Sequence, residues 1–292
     1  PVAALVFSTA VRMYADVEFR LSLNYKRFSA FYLIIAAGYL AGLGLFFLTK
    51  QWILIFLTGE LAGILFVIIS GKIFRPPFLK KSELFKENMA ADLKLSLSFF
   101  MSDLVGASDR FLFPLFLSNG DELTSLYYYA SIVGKMMSLL STPLNGVLNG
   151  YISREEGGLR RKTFFKVILL MLGVFIAVTA AATGISVLFV RIFYGDAYEA
   201  VRSLFVIANA GQVIFFIGNT MMVIVLRYTK ERNQLIVNGI YIALFFSAAI
   251  PLILKMGLKG MAWGILCVNT VRFLLFAVIG CISLKGDRRE EN

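Results

Sequence analysis

Apolar residues run through this chain in long blocks, not in the alternation of a half-buried strand or the single stripe of a surface helix. A hydrocarbon core about 30 Å thick is crossed by roughly 20 helical residues at about 1.5 Å each, so blocks of that length can be counted as spans. Four are free of charge throughout: residues 28–49, 167–190, 203–226 and 233–254. Five more reach spanning length with charges inside them: 1–17 (Arg12, Asp16), 51–71 (Glu60), 95–120 (Asp103, Asp109, Arg110), 123–153 (Lys135) and 260–284 (Arg272). The pattern predicts an all-α integral membrane protein with about nine transmembrane helices.

Composition agrees, since 59% of the 292 residues are hydrophobic and 16% are charged, against roughly 45–50% and about 25% in soluble domains. A water-soluble fold could not cover that much apolar surface. Histidine is absent, and Cys267 and Cys281 lie in one apolar segment, so neither a metal site, a cofactor nor a disulfide framework is implied. The net charge of +11 is explained by the positive-inside rule without nucleic acid as a partner. When connections are assigned alternately to two sides, 20 of the 29 Lys and Arg fall in one set and 5 in the other. The rich set includes Arg27, Lys80, Arg160, Lys230 and Arg288, which predicts a cytoplasmic C-terminus.

A basic stretch with Pro76 and Pro77 separates three spans from six. The expected organisation is therefore residues 1–74 as the last three helices of one lobe, 75–93 as a cytoplasmic linker, 94–285 as a six-helix lobe and 286–292 as a cytoplasmic tail. The three spans before the linker parallel the last three in layout, and equal halves would place about three more helices before Pro1, making about twelve in all.

Charges at mid-membrane cost about 2.5–3.5 kcal/mol each on the lenient scale, so such residues face protein or water. On a continuous helix Asp103, Gly106, Ala107, Arg110 and Pro114 share one side. Along the next span Tyr128, Ser131, Lys135, Ser138, Thr142, Asn145 and Asn149 form a polar stripe. A stripe of this kind either glues helices together or lines a water-filled path. Lys135 favours the path, because its own stripe offers no carboxylate. For Arg110 an internal pair with Asp103 or Asp109 competes with ligand binding. Arg12 has Asp16 four residues away, Arg272 has only Asn269 near it in its span, and Glu60 stands alone between apolar runs. The candidate cavity residues are thus Arg12, Arg110, Lys135, Arg272, Ser131, Ser138, Thr142 and Asn145. The candidate ion-coupling residues are Asp103, Asp109 and Glu60.

The run from Phe99 to Ser153 carries an Asp-Arg pair (Asp109, Arg110), a short acidic turn and a Tyr-rich helix start (Tyr127, Tyr128, Tyr129, Ala130). It resembles the seventh and eighth helices of bacterial polysaccharide repeat-unit flippases, the Wzx-type branch of the MATE-like (multidrug/oligosaccharidyl-lipid/polysaccharide exporter) superfamily. The basic turn from Arg20 to Arg27 resembles the one that follows the fourth helix in that family. The resemblance implies twelve helices in two lobes in the bacterial cytoplasmic (inner) membrane. It implies transport of undecaprenyl-pyrophosphate-linked oligosaccharide by alternating access, with membrane lipids and polysaccharide assembly proteins as partners. A multidrug exporter of the same fold and a lipid II flippase stay open. An embedded polysaccharide polymerase or transferase would require a sizeable outer loop or a carboxylate cluster, and the outer connections are short turns, so the chain is not expected to be an enzyme. A purely structural role leaves the polar stripe without a use.

Overall fold

In the computed structural model the described residues are 2–22, 24–74, 83–152 and 159–286, with side chains described at all of these except 20, 21, 138–143, 149, 150, 152, 285 and 286. Among them there is no strand, and the elements are helices: α1 (Val2–Ala15), α2 (Val17–Leu21), α3 (Tyr25–Thr49), α4 (Ile53–Ser70), α5 (Phe85–Gly106), α6 (Asp109–Phe116), α7 (Gly120–Ile152), α8 (Arg161–Phe193), α9 (Gly195–Val201), α10 (Phe205–Leu226), α11 (Glu231–Met256) and α12 (Leu258–Gly286). This is an all-α membrane protein. Among the described residues six segments are long and apolar enough to cross a bilayer: α3, α4, α8, α9 with α10, α11 and α12. The three further segments counted from the sequence, at α1, α5–α6 and α7, are helical but are not among these six. Residues 75–82 of the linker and 287–292 of the tail lie outside the described residues.

The chain forms two compact units. Unit 1 comprises Pro1–Glu83 with Gly146–Arg154, and unit 2 comprises Leu84–Asn145 with Glu155–Asn292. In unit 1, α3 and α4 pack face to face because glycines remove side chains from the seam. Gly38 on α3 meets Gly59 on α4, where a Cβ at Gly38 would stand 2.7 Å from the Gly59 Cα, while Gly42 makes room for Ile55 and Thr58 of α4 and Gly63 for Phe31 and Ile35 of α3. The absence of a hydrophobic driving force between helices in lipid makes such close backbone approach the main source of attraction. Thr58 adds a hydroxyl that donates to the Gly38 carbonyl at 2.9 Å. Phe19, Phe28, Phe31, Ile35 and Val67 complete the core of this unit.

In unit 2, α10 is the enclosed helix, buried along most of its length. α8 turns Leu169, Leu170, Ile176 and Leu188 outward, the distribution of a lipid-facing helix. Both α7 and α8 have 33 residues, about 50 Å of helix, so each extends beyond a hydrocarbon core about 30 Å thick.

One expected span is corrected. Residues 95–120 form two helices, since α5 ends at Gly106 and α6 starts at Asp109. The Ser108 hydroxyl donates back to the Val105 carbonyl at 2.6 Å, and Pro114 lies within the short second helix. A side chain competing for backbone carbonyls and a proline at the sixth residue of α6 both disfavour one straight helix here.

The glycine seam of α3 yields a paired prediction. A Cβ at Gly42 would sit 2.7 Å from the Cα of Ile55, whereas at Gly44 nothing lies within 4 Å. Gly42→Ala is expected to destabilise unit 1 by about 1–3 kcal/mol, as overpacked sites do, and Gly44→Ala to leave stability unchanged or slightly raised. Thermal unfolding of the detergent-solubilised protein reads both. Equal melting temperatures for the two variants would remove the close-packing explanation.

Candidate polar sites within the spanning helices

The break between α5 and α6 determines where the charges go. Asp109, the first residue of α6, is 1% exposed, and its Oδ2 accepts from Lys135 Nζ on α7. The Lys135 side chain keeps 18% of its surface, and its ammonium lies 5.7 and 5.6 Å from the ring centroids of Tyr127 and Tyr128, within cation–π range. The second carboxylate oxygen of Asp109 meets no donor among the described residues. The expectation that Lys135 has no acidic partner is therefore corrected. Its own stripe offers none, but the preceding helix does.

Because neighbouring residues on a helix point about 100° apart, turning Asp109 inward turns Arg110 outward. Arg110 is exposed and makes no ion pair among the described residues, so of the two readings left open for it the internal pair with Asp103 or Asp109 is not the one seen. Asp103 is exposed near the end of α5.

The polar stripe of α7 is not uniformly open. Ser131 is fully buried, with its hydroxyl donating to the Tyr127 carbonyl at 2.8 Å, which corrects the expectation that it lines a wet path. Asn145 accepts from the Thr220 hydroxyl at 2.7 Å. Ser138 and Thr142 lie outside the described side chains. Where α7 meets α10, Asn209 accepts from the Gly134 N–H at 2.8 Å and donates to the Ala130 carbonyl at 3.4 Å. These two backbone groups are one turn apart, so the amide bridges a rung of the α7 ladder. Asn209 also donates to Ser186 Oγ on α8 at 2.9 Å, so one buried amide joins three helices. Gly134 permits the approach, since a Cβ there would lie 2.8 Å from Asn209 Oδ1.

Arg272 on α12 is 1% exposed. Its Nε donates to Asn238 Oδ1 on α11 and its Nη1 to Asn219 Oδ1 on α10, each at 2.8 Å. The guanidinium also lies 4.9, 5.4 and 5.5 Å from the rings of Tyr241, Phe215 and Phe276. Asn238 in turn donates to Ser98 Oγ on α5 at 2.7 Å, and Tyr241 donates to Asn269, which holds the Gly211 carbonyl. Amide oxygens and aromatic faces thus carry most of the solvation, and Arg272 does not reach a surface. Its expected place in an open cavity is corrected to a helix-joining core position.

In unit 1, Glu60 is not solitary. Its Oε2 accepts from Arg12 Nε and its Oε1 from the Tyr39 hydroxyl at 2.9 Å. Arg12 accordingly pairs with Glu60 and not with Asp16, whose Oδ2 accepts from the Tyr32 hydroxyl at 3.3 Å. Both oxygens of a 4%-exposed carboxylate are satisfied, the arrangement that keeps a buried ion pair from being a liability.

Asn209, Asn219, Asn238 and Tyr39 were not singled out from the sequence, because the spans that hold them count as uncharged. The signal was present as amides within runs long enough to cross the membrane. No group of three or more His, Cys, Asp or Glu able to hold a metal occurs among the described residues.

The Asp109–Lys135 pair is tested by a double-mutant cycle. Asp109→Asn and Lys135→Met are each expected to cost about 3–5 kcal/mol of stability in detergent, because each strands the other charge, and the double variant to recover most of that loss. Strict additivity would show that the two groups do not depend on each other.

Comparison of the chain with family models, with curated proteins and with solved structures found no match in any of the three.

Proposed function

We propose that this chain is a flippase of the Wzx type, carrying undecaprenyl-pyrophosphate-linked oligosaccharide across the bacterial cytoplasmic membrane by alternating access. The observation that supports this most is the break between α5 and α6. It interrupts a spanning-length segment near its middle and leaves Asp103 and Arg110 exposed beside a buried ion pair. Irregular backbone at membrane depth is stable only against protein or a wet cavity, and interrupted helices mark substrate sites in many transporters.

On this reading Arg110 is the first contact for the pyrophosphate. Lys135 follows by exchanging Asp109 for the substrate phosphate, a swap of one oxyanion for another that leaves the ammonium satisfied throughout. Arg12 and Arg272, both internally compensated, hold helices together and take no part in contact with substrate. The basic side of the membrane is the cytoplasm, which puts the C-terminus there and lets the headgroup enter from the side where lipid-linked intermediates are assembled.

A second reading, a multidrug exporter, is favoured by the exposure of Asp103. Pairing of Lys135 with Asp109 leaves the exposed face with one acid and one base, and a cationic substrate would use the acid.

Complementation of surface-polysaccharide production in a flippase-deficient strain distinguishes the readings, using the full-length gene and matched membrane levels. Arg110→Gln is expected to lower production at least about tenfold, the effect of losing about 1.4 kcal/mol of charge-assisted binding, while Arg110→Lys retains most of it and Asp103→Asn is tolerated. Full production with Arg110→Gln would contradict the flippase reading. Lost export of cationic dyes in Asp103→Asn alone would favour the drug exporter.

A further inference from the structure

The enclosed helix of unit 2, α10, carries a buried amide whose bonds end beside the Asp109–Lys135 pair. Asn209 is 0% exposed, and its Oδ1 accepts from the Gly134 N–H of α7 at 2.8 Å. Its Nδ2 lies 2.8 Å from the Phe205 carbonyl, 2.9 Å from Ser186 Oγ of α8 and 3.4 Å from the Ala130 carbonyl of α7. A side-chain amide has two N–H hydrogens, and both are committed here. The orientation is fixed as well, because exchanging oxygen and nitrogen would set an N–H against the Gly134 N–H and the oxygen against two carbonyls.

An amide that only joins helices needs a polar partner on the neighbour and nothing more. Asn209 goes further in two respects. Its partner on α7 is main chain, at the residue immediately before Lys135. That residue is glycine, among the costliest in a helix interior, and a Cβ there would lie 2.8 Å from Asn209 Oδ1 and 2.9 Å from Gln212 Cβ. Helix propensity is given up at the position where the amide reaches the backbone.

What this contact holds in place is the root of a long side chain. The Lys135 ammonium must arrive at Asp109 Oδ2 on α6, beside the rings of Tyr127 and Tyr128. A buried ion pair is favourable only when its geometry is good, and any displacement of the backbone at 134 is carried along the flexible lysine chain to the pair. Hydrogen bonds run from Ser186 of α8 through Asn209 of α10 to Gly134 of α7, and the next residue carries the ion pair to α6.

We propose that Asn209 is a positioning residue for Lys135. Its amide fixes the α7 backbone at Gly134 so that the ammonium meets Asp109. The same placement serves the exchange of Asp109 for substrate phosphate, and this second step rests on the flippase reading.

The test repeats the Asp109→Asn, Lys135→Met cycle on the detergent-solubilised protein in two further backgrounds, Asn209→Ala and Asn209→Ala with Gly134→Ala. The second background puts a methyl group into space that the amide vacates. In both, the coupling between Asp109 and Lys135 is expected to fall to less than half of its wild-type value. Hydrogen exchange at the Gly134 amide should rise at least about tenfold in Asn209→Ala, as expected for loss of a buried hydrogen bond. The melting temperature should fall in Asn209→Ala and recover in part in the second background. Where Asn209→Ala alone does not fold, the second background decides. A lower melting temperature with full coupling overturns the proposal, since the amide would then be packing glue. Full coupling in the second background also overturns it, because close packing at residue 134 would then set the position of Lys135. Unchanged exchange at Gly134 does so too. Lost coupling together with undiminished polysaccharide production supports the positioning and contradicts the transport role of Lys135, so the two ideas fail separately.

Discussion

Hydrocarbon offers no hydrogen bonds, and every polar group carried into it must bring its partner from the protein. The architecture of this chain follows from that constraint more than from its apolar residues, which are as well solvated by lipid as by each other. Arg12 draws α1 against α4 through Glu60, and Tyr39 closes the second oxygen from α3. Lys135 draws α7 onto α6. Arg272 joins α12 to α10 and α11, and through Asn238 to α5. Each spanning segment with an internal charge is thereby tied to a neighbour by a specific bond, and the glycine seams permit the distances those bonds require.

The exceptions to internal pairing are informative for function. Asp103 and Arg110 are exposed on either side of the α5–α6 break, whereas the neighbouring Asp109 is buried and paired. A segment that could have crossed as one helix is instead interrupted where its charges lie. That combination costs stability and is explained by a wet path or a ligand at this depth. It is the observation on which the proposal of a transporter rests.

Much of the fold was legible in the sequence. Block length predicted the all-α membrane class and, among the nine segments counted, the six that are long and apolar enough to span, because one turn of helix adds a fixed rise and lipid tolerates little charge. The partners of the charges were not legible. Helical phase tells which side of its own helix Lys135 occupies, but not that Asp109 stands opposite, since that depends on the break at Ala107 and Ser108. The same gap separated Glu60 from Arg12, 48 residues apart, and left Arg272 without its asparagines. Local cues did exist: Ser108 and Pro114 bracket the break, and the four-residue spacings Gly38/Gly42 and Gly59/Gly63 mark the α3–α4 seam. Counting charges alone passed over them, along with the amides of α10 and α11.

The distinction between paired interior and wetted break is open to direct measurement by single cysteines in a background lacking Cys267 and Cys281. A membrane-permeant thiol reagent that reacts only with the ionised form reports water at each position. Cysteines at 103 and 110 are expected to label readily and those at 131 and 186 to remain unreactive, in line with the full burial of Ser131 and Ser186. Protection at 103 and 110 equal to that at 131 would place the break in lipid or dry protein, and would contradict both the path and the function built on it.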